Sequence, residues 1–149
     1  MNAEQTVQLI RRQRHDFAND LQVIRGYLDL NMPQRALDTL INAVERMDGE
    51  RRLFETFEPA LALEIYQVML SGTEYGIEFY VGHLEPAVLN QPERLALLDW
   101  LECGLRDPKL QAMGTPILLD LLGGDYPSAR LRPADAADDE IIAEIRLTR

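Results

Sequence analysis

The sequence has few of the features that mark secreted, zinc-binding or membrane proteins. Its single cysteine, Cys103, cannot form a disulfide within the chain, and no cluster of cysteine and histidine residues indicates zinc. No apolar run approaches the ~20 residues needed to cross a bilayer, and the N-terminus lacks the apolar segment of a signal peptide. We therefore expect a cytoplasmic protein without a membrane association or a metal site.

Basic residues are also scarce. The 149 residues carry a net charge of −10, and most of the excess acid lies in residues 58–149, while residues 1–57 are nearly neutral. A chain without a basic stripe is not expected to bind nucleic acid as its main partner. Length and a hydrophobic content of 46% fit one globular domain, or two small domains that share a core.

The first third of the chain has the heptad pattern of two helices. The first is predicted from a cap at Asn2 to about Asn31, and the second from Pro33 until its pattern fades at Asp48-Gly49. So short a link favours an antiparallel hairpin. The apolar heptad residues are Val7, Ile10, Phe17, Leu21, Ile24 and Leu28 in the first helix, and Leu37, Leu40, Val44 and Met47 in the second.

A two-helix hairpin cannot bury such a pattern alone. Two hairpins that dock as a four-helix bundle would cover both apolar faces, so the sequence predicts a homodimer. The alternative is that residues 58–149 cover the hairpin within one chain.

The first helix also carries a polar stripe on which a histidine lies. With Val7 at heptad position a, His15, Asn19 and Gln22 share one solvent-facing side, whereas Phe17 and Leu21 are expected to hold this part of the helix in the core. An exposed imidazole is largely neutral and nucleophilic at pH 7. An adjacent carboxylate, here that of Asp16, can orient the ring.

Arginines surround this histidine in the sequence, and arginine pairs well with phosphate oxygens. They are Arg11, Arg12, Arg14 and Arg25. The combination favours phosphoryl acceptance by His15. The plainer interpretation, which an isolated His-Asp pair would favour, is a solvated residue on an oligomerisation hairpin.

The segment RHDFANDLQVIRGYLDL resembles the phosphoacceptor helix of the sporulation initiation phosphotransferase B family and of citrate- and fumarate-type sensor kinases. The match is specific over about twenty residues, and it extends more weakly along the hairpin to about residue 54. It rests on Arg14, His15, Asp16, Phe17, Asn19, Leu21, Gln22, Ile24, Gly26 and Leu28.

The resemblance implies that His15 is the phosphorylated residue of a dimeric four-helix bundle, in a phosphorelay whose output could be sporulation. Phosphotransferases of this family relay phosphate between aspartates of response-regulator receiver domains. No intrinsic cofactor is expected, because Mg²⁺ in such exchanges is held by the response regulator. We expect a catalytic group of His15, Asp16, Arg14 and Asn19, with Arg11, Arg12 and Gln22 in partner binding.

The second half alternates helices and strands. Helices are predicted from Pro59 to about Tyr75 and from Gln91, and strands at 76–81, 117–122, 129–131 and 141–147, with an acidic loop at 134–139. The second of these helices is expected to use Leu95, Leu98 and Leu101 as its apolar face, with Leu105 as a further candidate and Cys103 in the core. His83 is expected at the surface.

This order resembles a shortened, degenerate ATP-binding domain of a sensor kinase. In that resemblance Trp100 and Gly104 replace the two asparagines of the N-box, and the sequence has no Asp-x-Gly-x-Gly box. A bound nucleotide needs oxygen ligands for its metal and glycines beside its phosphates, so autonomous kinase activity is not expected.

The sequence thus predicts an α+β protein with a phosphotransfer and dimerisation hairpin at 1–56 and an ATPase-like domain at 57–149. Its predicted function is a phosphorelay histidine phosphotransferase. The alternatives are a non-enzymatic dimer that binds and regulates a response regulator or a sensor kinase, and a fragment of a kinase.

Overall fold

The first helix is delimited by local hydrogen bonds that the sequence encodes. A computed structural model describes residues 1–136 and 140–147 and places helix α1 at Ala3–Asp29. At its start the Asn2 side chain accepts a hydrogen bond from the Gln5 backbone N–H, and the Gln5 side chain accepts one from the Asn2 N–H, both at 2.9 Å. This reciprocal cap confirms the predicted start.

The turn after α1 reverses the chain. Asn31 adopts a left-handed φ of 54°, and its N–H donates to Leu28 at 3.0 Å. The next N–H, of Met32, donates to the carbonyl of Tyr27 at 2.8 Å. This is the Schellman arrangement, in which asparagine replaces the usual glycine at low cost. Helix α2, Pro33–Thr56, then folds back so that Arg46 meets Asp20 of α1.

Helix α2 does not end where its apolar pattern fades. The predicted end at Asp48-Gly49 is wrong, because the helix continues for two more turns to Thr56. Gly49 is buried, and a β-carbon at this position would come within 3.0 Å of the Val81 Cβ. Gly49 therefore allows a close approach to a strand, which is a packing role for glycine in a helix.

The chain divides into two compact units, residues 1–48 and 49–149. Helix α2 runs from one into the other without interruption, and the predicted domain boundary after residue 56 stays a prediction.

The second unit is a four-stranded sheet with helices. The elements are α3 Pro59–Ser71, a 3-10 helix Gly72–Tyr75, β1 Phe79–Leu84, α4 Gln91–Leu105, α5 Pro108–Gln111, β2 Ile117–Leu122, β3 Ser128–Pro133 and β4 Ala143–Arg146. The strand order is β1-β2-β3-β4, with β1 and β2 parallel and the remaining pairs antiparallel. The α+β class and the predicted β2–β3 hairpin are confirmed.

Two details of the predicted second half are wrong. Strand β1 begins at Phe79 rather than at residue 76, because Gly76 adopts a φ of 74° and caps the 3-10 helix. On α4 the buried side is Leu97, Leu101 and Leu105, spaced by four residues. Leu95 (51% exposed) and Cys103 lie on the solvent side, so neither belongs to the core. Residues 137–139 of the predicted acidic loop lie outside the described residues.

A buried ion cluster joins the strands of the sheet. The Asp120 side chain is fully buried and accepts hydrogen bonds from Arg130 Nε at 2.8 Å, Arg132 Nη2 at 2.9 Å and the His83 backbone N–H at 2.7 Å. Burial raises the pKa of the Asp120 carboxyl, but the hydrogen bonds from Arg132, Arg130 and His83 outweigh it and hold the pKa below its ordinary value. The His83 ring itself is exposed, as predicted, 3.3 Å from Glu85 Oε1.

Candidate functional site

His15 lies near the middle of α1 and is open to solvent. Its side chain is 73% exposed, whereas that of Asp16 is 35% exposed. Both neighbours that contact the ring do so through the same nitrogen: Asn19 Nδ2 is 3.5 Å from His15 Nδ1, and Asp16 Oδ1 is 3.9 Å from it. The hydrogen bond and the ion pair of His15 in the described part of the chain both involve Nδ1, and the ring as a whole is largely accessible to solvent.

Helical geometry sorts the predicted site residues by face. At about 100° per residue, Arg11, Arg12, Asn19 and Gln22 fall within roughly 60° of His15 around the helix axis. The structure therefore groups the three predicted partner-binding residues with His15 and Asn19. Arg11, Asn19 and Gln22 are exposed, and Arg12 is half-buried.

Arg14 and Asp16 lie on opposite flanks of this face. Each is about 100° from His15 around the axis. Arg14 is exposed and interrupts the apolar heptad series, while Asp16 lies on the side that carries Asp20. Both belong to the predicted catalytic group, and the Asp16 carboxylate approaches the ring, with Oδ1 3.9 Å from Nδ1. Around the helix axis, Arg11 and Arg12 lie closer to His15 than Arg14 does.

The apolar heptad residues beside the site are not covered by the chain. None of the α1 residues is buried, Leu21 is 66% exposed, and Phe17 is half-buried. Neither residue is enclosed within one chain, and the expectation that Phe17 and Leu21 hold α1 in the core of a dimeric bundle stays a prediction. Within the hairpin, the buried α2 residues before residue 49 are the small Ala36 and Ala43.

One contact of the site region escaped the sequence analysis. Arg46 of α2 donates from Nη2 to Asp20 Oδ2 across the hairpin, and their side chains are 22% and 24% exposed. The heptad position of Asp20, near the apolar seam, was the signal available in the sequence. Its partner could not be identified before the register of the two helices was known.

The described residues show neither a metal-ion cluster nor a membrane-spanning helix. Among residues 1–136 and 140–147, no group of histidine, cysteine, aspartate and glutamate side chains is arranged to hold a metal ion. In that same part of the chain, no helix combines the length and apolar character that a membrane span needs.

Comparison with known proteins agrees with the predicted hairpin. No curated protein matches the chain. Residues 1–56 match the family model described as sensor kinase SpoOB-type, alpha-helical domain. The match spans both helices and confirms the family resemblance read from the sequence. The N-terminal 56 residues are therefore similar to the alpha-helical domain of SpoOB-type sensor kinases, a similarity that points to two-component signalling.

Proposed function

We propose that this chain is a histidine phosphotransferase that accepts a phosphoryl group on His15 from a response-regulator aspartate and passes it to a second regulator. The observation that carries the proposal is the exposed side chain of His15, in a segment that matches the SpoOB-type family model, with both ring contacts at Nδ1. An imidazole that attacks a phosphorylated aspartate of another protein has to be exposed to solvent. One ring nitrogen with an available lone pair is sufficient for that attack.

The ring contacts suit attack through Nε2. A proton on Nδ1 leaves the lone pair on Nε2, and Asp16 at 3.9 Å favours that proton electrostatically. Rotation of the Asn19 amide exchanges its nitrogen for its oxygen, which can then accept from Nδ1–H. The two side chains thereby select the nucleophilic tautomer without occupying the nitrogen that reacts.

The transfer is a balanced exchange at phosphorus. The Nε2 lone pair forms an N–P bond in line with the aspartyl P–O bond, which breaks and returns its electron pair to the regulator's carboxylate. The imidazole keeps the Nδ1 proton and becomes positively charged, and Asp16 balances that charge. Arg11 and Arg12, on the same face of α1, are proposed to bind the phosphoryl oxygens. Mg²⁺ is supplied by the regulator, and the reverse steps load the second regulator.

The apolar surface of the hairpin supports a homodimer as the active form. Exposed apolar residues follow one stripe on each helix, which two copies would bury in a four-helix bundle. The exposed residues are Val7, Ile10, Leu21 and Leu28 on α1, and Leu37, Leu40, Ile41, Val44 and Met47 on α2. Dimerisation would leave the His15 face at the outside of the bundle.

The second unit is proposed to be a scaffold rather than a kinase engine. The order of its elements resembles that of an ATP-binding domain, but the nucleotide-binding residues are missing. Trp100 and Gly104 occupy the positions of the two N-box asparagines. The phosphoryl group therefore comes from another protein in this account.

The test is phosphoryl transfer from receiver domains labelled with ³²P on their aspartate. The wild-type chain should gain an acid-labile, base-stable label and lose it to a second receiver. His15→Ala should remain dimeric and take up no label, and His83→Gln, at the other histidine, should be labelled like the wild type. Label on His15→Ala would refute the assignment. Receiver binding without any label would support a non-enzymatic interaction protein instead.

A further inference from the structure

The ion pair of Asp20 and Arg46 joins the two helices of the hairpin close to the phosphoacceptor. The residues are 26 positions apart in sequence, and each side chain is about three-quarters buried. Exposed ion pairs contribute little to orientation because water and salt compete with them. A shielded pair has a stronger preference for one geometry, because breaking it leaves a poorly solvated charge.

The pair lies near His15 along the helix but on another side. Asp20 is five residues further on, which is about 7.5 Å along the axis and about 140° around it. It therefore leaves the His15 face open to a partner. Any effect on His15 must pass through the position and rotation of α1.

Apolar packing within the hairpin is less suited to fixing that rotation. The buried residues of α2 before residue 49 are Ala36 and Ala43, whose short side chains interlock little. No side chain of α1 is buried, although Phe17, Ile24 and Tyr27 are half-buried. Apolar contacts tolerate rotation and sliding, whereas an arginine-carboxylate hydrogen bond has directional requirements. The ion pair is thus a contact able to set the angle of α1.

We infer that Asp20 and Arg46 are positioning residues that hold the His15 face at the angle a receiver domain requires for transfer. This inference rests on the proposed function. It concerns presentation of the face to another protein, so the intrinsic reactivity of the imidazole should not depend on the pair.

The experiment separates presentation from reactivity. All proteins carry His83→Gln, so that His15 is the only imidazole of the chain. Phosphoramidate, a small donor that needs no docking, is used to load His15: Nε2 attacks phosphorus and ammonia leaves. Transfer from the loaded protein to a receiver domain is then followed at increasing receiver concentrations. The variants are Asp20→Asn, Arg46→Gln and the exchanged pair Asp20→Arg/Arg46→Asp.

Asp29→Asn is the matched control. It makes the same substitution on the same helix, but its partner Arg25 is on α1 as well, 3.8 Å away, and both side chains are largely exposed. That pair cannot set the angle between helices. The control should therefore load and transfer like the reference protein.

The inference predicts loading within twofold of the reference in every variant. Transfer at saturating receiver should fall on the order of tenfold in each single variant, the size expected for a small misplacement of a reacting group, and recover in the exchanged pair. Unchanged transfer in the single variants, equal losses in loading and transfer, or no recovery would overturn it. Failure of the loaded reference protein to transfer to any receiver would instead overturn the proposed function.

Discussion

Two ionisable sites of this protein, at His15 and at Asp120, use a carboxylate in opposite ways. At His15, Asp16 stands 3.9 Å from one ring nitrogen and leaves the other to solvent. At the sheet, Asp120 is fully enclosed and accepts hydrogen bonds from two arginines and a backbone N–H. The first carboxylate is suited to balance a transient charge, and the second to hold strands together.

Replacement of Asp120 tests the structural role. Asp120→Asn leaves the guanidinium groups of Arg130 and Arg132 without their counter-charge, and Arg132 is 7% exposed. Removal of one partner from a buried ion pair costs about 3–5 kcal/mol. We expect a loss of this size in the free energy of unfolding, measured by urea titration at pH 7. Asp125→Asn, in an exposed turn, should change it by less than about 0.5 kcal/mol.

The same variant has a predictable pH dependence. Because the folded pKa of Asp120 is lower than its ordinary value of 3.8, its ionisation stabilises the fold above that value. This contribution disappears as the pH falls through the folded pKa. The difference between wild type and Asp120→Asn should thus be constant above about pH 5 and shrink below about pH 4. A difference that persists unchanged to pH 2 would contradict the pKa direction.

At the scale of elements, the hairpin has two kinds of apolar surface. Small residues of α2, Ala36 and Ala43, are buried within one chain, whereas the large heptad residues remain exposed. Burial is worth roughly 25 cal/mol per Å² of apolar surface, so a continuous stripe on both helices strongly favours association.

Val44→Glu tests this association. The substitution places a charge in the middle of the exposed α2 stripe, where a second hairpin would have to bury it. We expect the wild type to sediment as a dimer at micromolar concentration and Val44→Glu to sediment as a monomer with unchanged helix content. Asn42→Glu, which adds the same charge on the other side of α2, should remain dimeric. A wild-type monomer under these conditions would refute the dimer.

The sequence predicted the elements well and their tertiary surroundings less well. The cap at Asn2, the proline starts at Pro33 and Pro59 and the helix start at Gln91 are local signals, and the structure confirms them. The extension of α2 past Gly49 was missed because that glycine is explained by a strand distant in sequence. The leucines of α4 can be grouped into two overlapping helical faces, one with Leu95 and one with Leu97, and their spacing alone does not show which face is buried. The prediction placed Leu95 in the core for this reason.

The candidate site divides in the same way. His15 and its stripe followed from periodicity and from a family motif, and both are local properties of α1. The Asp20–Arg46 pair depends on the register between two helices, which the turn at Asn31 determines. The placement of Arg11 on the His15 face and of Arg14 on its flank follows from the helix alone, and the predicted catalytic role of Arg14 stays a prediction.

At the scale of the whole molecule, the two halves differ in charge. Residues 1–57 are nearly neutral and carry eight arginines, whereas residues 58–149 hold most of the excess acid. A negatively charged partner would therefore meet less long-range repulsion from the first segment than from the second. This distribution is compatible with the proposed transfer of phosphate at His15.

The most direct test of the account is the location of the phosphoryl group. Wild-type protein labelled by a phosphorylated receiver domain is digested and mapped by mass spectrometry under basic conditions, and its ³¹P spectrum distinguishes the two imidazole nitrogens. The account predicts phosphate on His15 alone, bonded to Nε2, because Asp16 and Asn19 lie at Nδ1. Phosphate on Nδ1, on His83 or on a carboxylate of this chain would contradict it.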